Sequence, residues 1–152
     1  MIEQLCIQDE VIAQSVWQIQ QTAYRAEADL MQFYDIPPLL ETMEQLREST
    51  ETFYGWYNSS NELVGVVAVK KEAPRELRIC RLMVRQDQQR QGIARSLMKN
   101  VLKESGIDRF VISTGERNEP ALRLYLSLGF QTVQDIEIAP GVYLRTLDMK
   151  VN

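Results

Sequence analysis

Histidine is absent from the 152 residues. That rules out a Ser-His-Asp or Cys-His triad, and it removes the commonest metal ligand, so no metal site is expected. Cysteine is scarce. Cys6 and Cys80 are too few for a disulfide framework, and Cys80 falls in an apolar strand pattern, so both read as free thiols of a reducing compartment. No leader-like segment or long apolar run occurs, which predicts a cytoplasmic protein without a membrane partner. An excess of positive charge is missing too. The formal net charge of -4 argues against general nucleic-acid binding, which depends on neutralising phosphates.

What is present is a chain of one-domain length with an uneven charge distribution. Arg75, Arg78, Arg81, Arg85, Arg90 and Arg95 crowd into twenty-odd residues, opposed only by Glu76 and Asp87. For any single arginine a solvated charged face is the simpler reading.

Periodicity supplies the elements. Residues 1–7 suit a short strand. Ile12, Val16, Ile19, Ala23, Ala26 and Leu30 recur at helical spacing, with Asp9 as N-cap. Pro37-Pro38 breaks that pattern, and a second helix is expected over 39–47. Residues 51–57 and 63–71 form a hairpin around Asn58-Ser59-Ser60-Asn61, and 77–84 a third strand. A helix follows Gly92, with apolar rows Ile93, Leu97, Val101 and Ala94, Met98, Leu102, and Gly106 as its stop. Residues 109–113 are a short strand. Asn118-Glu119-Pro120 opens a helix that Gly129 closes, and 130–138 and 142–149 make a final hairpin. The order is β-α-α-β-β-β-α-β-α-β-β, an α+β single domain with about four helices and a mostly antiparallel sheet.

Between the third strand and its helix runs Gln89-Arg90-Gln91-Gly92-Ile93-Ala94. A glycine-bearing turn there exposes unpaired N–H groups at the positive end of a helix dipole, which makes an anion site. A P-loop would need Lys-Ser/Thr after the last glycine, whereas Ile93-Ala94-Arg95 follows here. A dinucleotide fingerprint would need three spaced glycines, and only Gly92 fits. An ordinary tight-turn glycine would explain Gly92 by itself.

Gln89-x-x-Gly92-x-Ala94 resembles the central Gln/Arg-x-x-Gly-x-Gly/Ala motif of the GNAT N-acetyltransferase superfamily. A second signature of that family, Asn at a helix start followed by Ala, Tyr and Gly-Phe, is matched by Asn118, Ala121, Tyr125 and Gly129-Phe130. The resemblance covers about residues 51–149; the first fifty residues resemble only the family's variable substrate-side helical arm.

The resemblance implies a GNAT-like fold in which two central parallel strands splay apart, here 77–84 and 109–113. It implies acetyl-CoA as co-substrate, with residues 51–149 as its binding core and 1–50 as the acceptor side. The backbone of Leu82, Met83 and Val84 would bond the pantetheine arm and help stabilise the thioester oxyanion. The pyrophosphate would sit on the N–H groups of Gln89, Arg90, Gln91, Gly92, Ile93, Ala94 and Arg95. Asn118, an N-cap in any reading, would also bond the CoA arm. Tyr125 is either a core aromatic or the general acid for the departing thiolate.

The general base is not identified. The matching strand positions hold Arg78 and Ser113, which cannot serve, and Glu116 falls on a loop. Glu27, Asp29 and Asp35 could attract a cationic amine, with a solvated helix face as the simpler reading for each. A water relay or an already neutral amine is equally compatible. Tyr24, Phe33, Tyr34 and Asp35, with Trp56, are candidates to line the acceptor pocket. The expected activity is direct acetyl transfer to a primary amine of a small molecule or peptide. The alternative is a noncatalytic acyl-CoA-binding or regulatory module. Pairing of last strands into a homodimer is a further implication.

Overall fold

Asp9 starts the longest helix of the computed structural model, which describes residues 1–151. Its carboxylate accepts from the N–H groups of Val11 and Ile12, and these are donors that a helix start leaves unpaired. The helix, α1 (Glu10–Met31), follows strand β1 (Ile2–Leu5) and ends where Gln32 turns left-handed.

The single helix expected over 39–47 is two short ones. They are α2 (Pro37–Leu40), entered through its prolines, and α3 (Met43–Arg47). Glu41 is extended between them, and Thr42 with Gln45 forms a capping box that starts the second helix afresh. This local capping signal outweighs the continuous helical spacing.

The strands are β2 (Thr52–Tyr57), β3 (Leu63–Ala73), β4 (Glu76–Val84), β5 (Arg109–Gly115), β6 (Gln131–Ala139) and β7 (Val142–Lys150). A 3-10 turn (Gln86–Gln88) and helix α4 (Ile93–Val101) lead from β4 to β5. Helix α5 (Glu119–Ser127) follows β5. Helix α4 ends before Gly106, with Leu102 as its cap.

All seven strands form one sheet in the order β1-β2-β3-β4-β5-β7-β6. Only β4 and β5 are parallel. The protein is thus a single α+β domain built on a mixed sheet, with core on both faces. One core joins Val64, Val67, Leu77 and Ile79 to Leu97 and Met98 of α4 and to Leu122 and Tyr125 of α5. The other joins Phe53, Val66 and Met83 to Ala13, Val16 and Ile19 of α1 and Leu46 of α3.

The parallel pairing is short. It runs from Glu76↔Arg109 to Ile79↔Ile112 and then stops, although β4 continues to Val84 and β5 to Gly115. At that point β4 carries an extra residue. Ala68 of β3 pairs with Arg81 and Val69 with Ile79, which leaves Cys80 bulged between them. A bulge bends its strand and breaks the ladder locally. It also resets the alternation of sides. Leu77 and Ile79 pack with α4 and α5, whereas Met83 packs on the α1 side and Val84 on the α4 side. The two strands therefore diverge at the bulge and open a gap in the middle of the sheet.

Candidate functional site

The gap opens into a cleft of about 780 Å³. Its walls come from four places. Tyr24 and Glu27 face it from α1, Leu82, Met83 and Val84 from β4, Gln89, Arg90 and Ala94 from the turn, and Asn118 and Tyr125 from α5. The two sequence motifs, some thirty residues apart, thus meet in one cavity.

At the turn, Arg90 and Gly92 both adopt left-handed backbone, with φ of 63° and 76°. Gly92 caps α4 without a side chain, and the first following amide to bond it is that of Ser96, which donates to the Gly92 carbonyl at 3.0 Å. The N–H groups of residues 92–95 are therefore left facing outward, as at any uncapped helix start. A Cβ built on Gly92 would meet nothing within 4 Å, so the approach from solvent is open. Gln89 braces the turn by donating from its side-chain amide to the Val84 carbonyl at 2.9 Å. Gln91 and Gly92 are exposed, and Ile93 is buried under the helix.

The arginine cluster divides into two groups. Arg75 is paired with Asp108, Arg78 with Glu72, Arg81 with Glu41 and Glu51, and Arg85 with Asp87. Arg95 donates to the Ser127 hydroxyl at 2.8 Å. Among the described residues Arg90 alone of the six makes no such contact, and it lines the cleft. The excess positive charge at the turn is thus smaller than the sequence suggests and is centred on Arg90.

Arg81 does something else. It is 8% exposed and donates to Glu41, Glu51 and the Gln20 side-chain oxygen Oε1, with its guanidinium 5.3 Å from the centre of the Phe53 ring. Burial pulls its pKa down, but the bonds and charges of the two glutamates outweigh that and leave it above its ordinary value. Gln20 also donates to the Pro38 carbonyl. The network ties α1 and the α2–α3 segment to β4, one residue past the bulge.

Tyr125 is 5% exposed, with its ring 6.2 Å from that of Phe130. Burial raises its hydroxyl pKa, and Tyr24 and Glu27 raise it further. Tyr24 shifts upward for the same chief reason, with Glu27 next, while the Leu82 backbone pulls the other way.

Glu27 departs from the solvated helix face the sequence suggested. It lies one helical turn from Tyr24, turned inward. Its Oε1 accepts from the Asn118 amide at 3.2 Å and from the Thr114 hydroxyl at 3.5 Å. Burial raises its pKa; the Gly115 backbone, Asn118 and Thr114 partly offset that. Asn118 has three partners: its Oδ1 accepts from Ala121 N–H as N-cap, and its Nδ2 donates to Glu27 and to the Thr114 hydroxyl. The close approach of α1 needs Gly115, where a Cβ would lie 2.0 Å from the Met31 sulfur.

The remaining candidates lie elsewhere. Tyr34 is 49% exposed and donates to Asp29 at 2.6 Å, with Arg25 over its ring. Neither Phe33 nor Asp35 lines the cleft, and Glu116 sits in the turn after β5. Cys80 is half-buried, and burial pushes its thiol up to about 11. Among the described residues no helix is long and apolar enough to cross a membrane.

A family profile described as "Acetyltransferase (GNAT) family" matches residues 13–130. The UPF0157 protein YqkA of Bacillus subtilis is 34% identical over 145 residues, which is 95% of this chain and 42% of that protein. N-acetyltransferase 8F1 of Rattus norvegicus is 36% identical over 81 residues, 48% of this chain and 37% of that protein. The chain thus spans less than half the length of these relatives. In fold it is similar to the ribosomal-protein-S18-alanine N-acetyltransferase from Escherichia coli, with a TM-score of 0.77 and 16% identity. That match covers 99% of this chain and 92% of the other.

Proposed function

The chain belongs to the GNAT acetyltransferase family, and on that footing we propose that it is an acetyl-CoA-dependent N-acetyltransferase acting on a primary amine. The observation that carries this reading is the parting of β4 from β5 after Ile79 and Ile112, with the turn and Tyr125 facing the same gap. A split sheet offers backbone groups that an extended ligand can pair with as a further strand.

Residues 51–149 form the donor core in this reading, and 1–50 the acceptor-side arm. The open N–H groups at Gly92 suit the pyrophosphate, with Arg90 adding charge. Leu82, Met83 and Val84 present backbone beyond the last β4–β5 pair to the pantetheine arm, and an N–H among them would stabilise the thioester oxyanion. Their side chains serve packing. The Tyr125 hydroxyl, protonated throughout the working range, donates to the departing sulfur. Transfer is direct, in a ternary complex. Cys80, the thiol next to the gap, is held protonated and so is a poor nucleophile for an acyl-enzyme route.

Strand β6 is exposed along its length and forms the sheet edge, which supports a homodimer paired there. The test of function is an acetyl-transfer screen over small amines and peptides with acetyl-CoA binding measured in parallel. Turnover supports the enzyme. Binding without turnover on any amine would fit a noncatalytic acyl-CoA module instead.

A further inference from the structure

We propose that the Glu27 carboxylate is the general base of this site, and that the acceptor is an amine arriving as a cationic ammonium on the α1 side of the cleft. This rests on the acetyltransferase reading above and supplies the base that the strand positions lack.

The other carboxylates tucked against the sheet have arginine partners. Glu41 and Glu51 share Arg81, and Asp148 pairs with Arg109 at 2.8 Å. Glu27 forms no ion pair among the described residues. It is held only by neutral donors: Asn118, Thr114 and the Gly115 backbone. Those donors fix where the carboxylate points without cancelling its charge. A carboxylate drawn into a cavity in this way favours a cation as its missing partner.

The groups around it come from every wall. Tyr24 lies near it from α1, Tyr125 from α5, and Arg90 and Arg123 line the same cavity. Asn118 links the two chemical roles. It caps the helix that carries Tyr125 and holds Glu27 through its other amide atom. Acid and base are thus positioned by one residue on opposite walls. Burial also lifts Glu27 above an ordinary glutamate, toward the range in which a base is most effective.

The protons balance without a further reactant. Glu27 takes one proton from the ammonium and passes it to solvent, which frees the nitrogen lone pair. The nitrogen attacks the thioester carbonyl carbon; the C–N bond forms and the C–S bond breaks. The nitrogen gives its second proton to cleft water while the Tyr125 hydroxyl gives one to sulfur. Cleft water then returns that proton to Tyr125. The sum is ammonium plus thioester giving amide, thiol and one proton.

The experiment uses two probes, n-hexylamine, cationic at neutral pH, and aniline, neutral there. Product is quantified by mass spectrometry, and acetyl-CoA binding is measured for each variant. The expected result for Glu27→Gln is a loss of 100-fold or more in kcat/KM with hexylamine. With aniline the change is less than threefold, and acetyl-CoA binding is unaltered. Equal losses on both amines, or no loss on either, overturn the assignment. A pH profile gives a second readout. The wild-type hexylamine kcat/KM should level off near neutrality, because it needs ionised Glu27 and protonated amine together. Glu27→Gln should instead rise with unit slope toward the pKa of the amine, and Glu27→Asp should keep the plateau. If the Gln variant does not fold, the wild-type plateau decides: a continuous rise overturns the proposal. Wild-type protein that binds acetyl-CoA yet acetylates neither amine overturns the acceptor class and leaves the donor site standing. Failure to bind acetyl-CoA overturns the reading beneath it.

Discussion

Replacing Arg81 by Met should destabilise the fold far more than an ordinary surface arginine would. In the native chain Arg81 donates to Glu51 at 2.8 Å and to Gln20 at 2.8 Å, and reaches both Glu41 oxygens. Met fills much of the same space but leaves both carboxylates without their cation, with side chains only 19% and 18% exposed. Breaking a buried ion pair by removing one partner costs about 3–5 kcal/mol. The two glutamates retain some access to water, so the low end applies, about 3 kcal/mol. With a urea m-value of about 2 kcal/mol/M, that lowers the unfolding midpoint by about 1.5 M. In a chain of this length it lowers Tm by roughly 6–12 °C. The control is the triple variant Arg81→Met, Glu41→Gln, Glu51→Gln, which removes the stranded charges and should recover much of the loss. A loss below about 1 kcal/mol, well short of what removing one partner of a buried pair costs, would refute the reasoning. So would a triple variant no more stable than Arg81→Met.

Other expectations concern the cleft. Gly92→Glu should fold, since nothing lies within 4 Å of its Cβ. A left-handed non-glycine residue costs about 1–2 kcal/mol, and the new charge opposes an anion, so acetyl-CoA affinity by calorimetry should fall about tenfold to a hundredfold. Normal affinity would remove the turn from the donor site. Tyr125→Phe should lower kcat by about 100-fold or more while acetyl-CoA binding hardly changes; unaltered kcat in a reaction limited by chemistry would dismiss the acid role. Glu27→Gln should raise stability at neutral pH. The folded chain binds the Glu27 proton more tightly than the unfolded chain, so stability declines as pH rises from the ordinary glutamate value, about 4.3, through the raised folded value. Gln does not titrate, so its Tm advantage over wild type should be small at pH 4 and larger at pH 7.5. An advantage that shrinks with pH would contradict the raised pKa.

Much of this was readable in the sequence wherever the determinant is local. Asp9 and Asn118 cap their helices because a short polar side chain serves N–H groups two or three residues on. Gly92 marks its turn for a similarly local reason. The bulge at Cys80 was hidden, because Leu82, Met83 and Val84 are apolar on both sides of the strand and leave no alternation to break. Arg81 read as one more surface charge, since its partners lie 30, 40 and 61 residues away. Glu27 was hidden by distance as well. Asn118, which fixes its orientation, is 91 residues on. One clue was available: Ala23, Tyr24, Ala26 and Glu27 share a helix face with more apolar than charged members.

The bulge gives the cleft an unusual kind of encoding. What parts the two central strands is a count of residues between Ile79 and Arg81, so the identity of the residue that fills it matters little. Cys80→Ala or Cys80→Ser keeps the count and should keep the opening. Deleting position 80 would remove the extra residue, leave Ile79 and Arg81 on opposite sides as consecutive residues of a regular strand, and let β4 zip against β5 to its end. Along this stretch of chain, mutational tolerance and intolerance should therefore separate by class. Substitutions pass, and a single-codon loss erases the pocket while leaving every residue assigned to it in the gene.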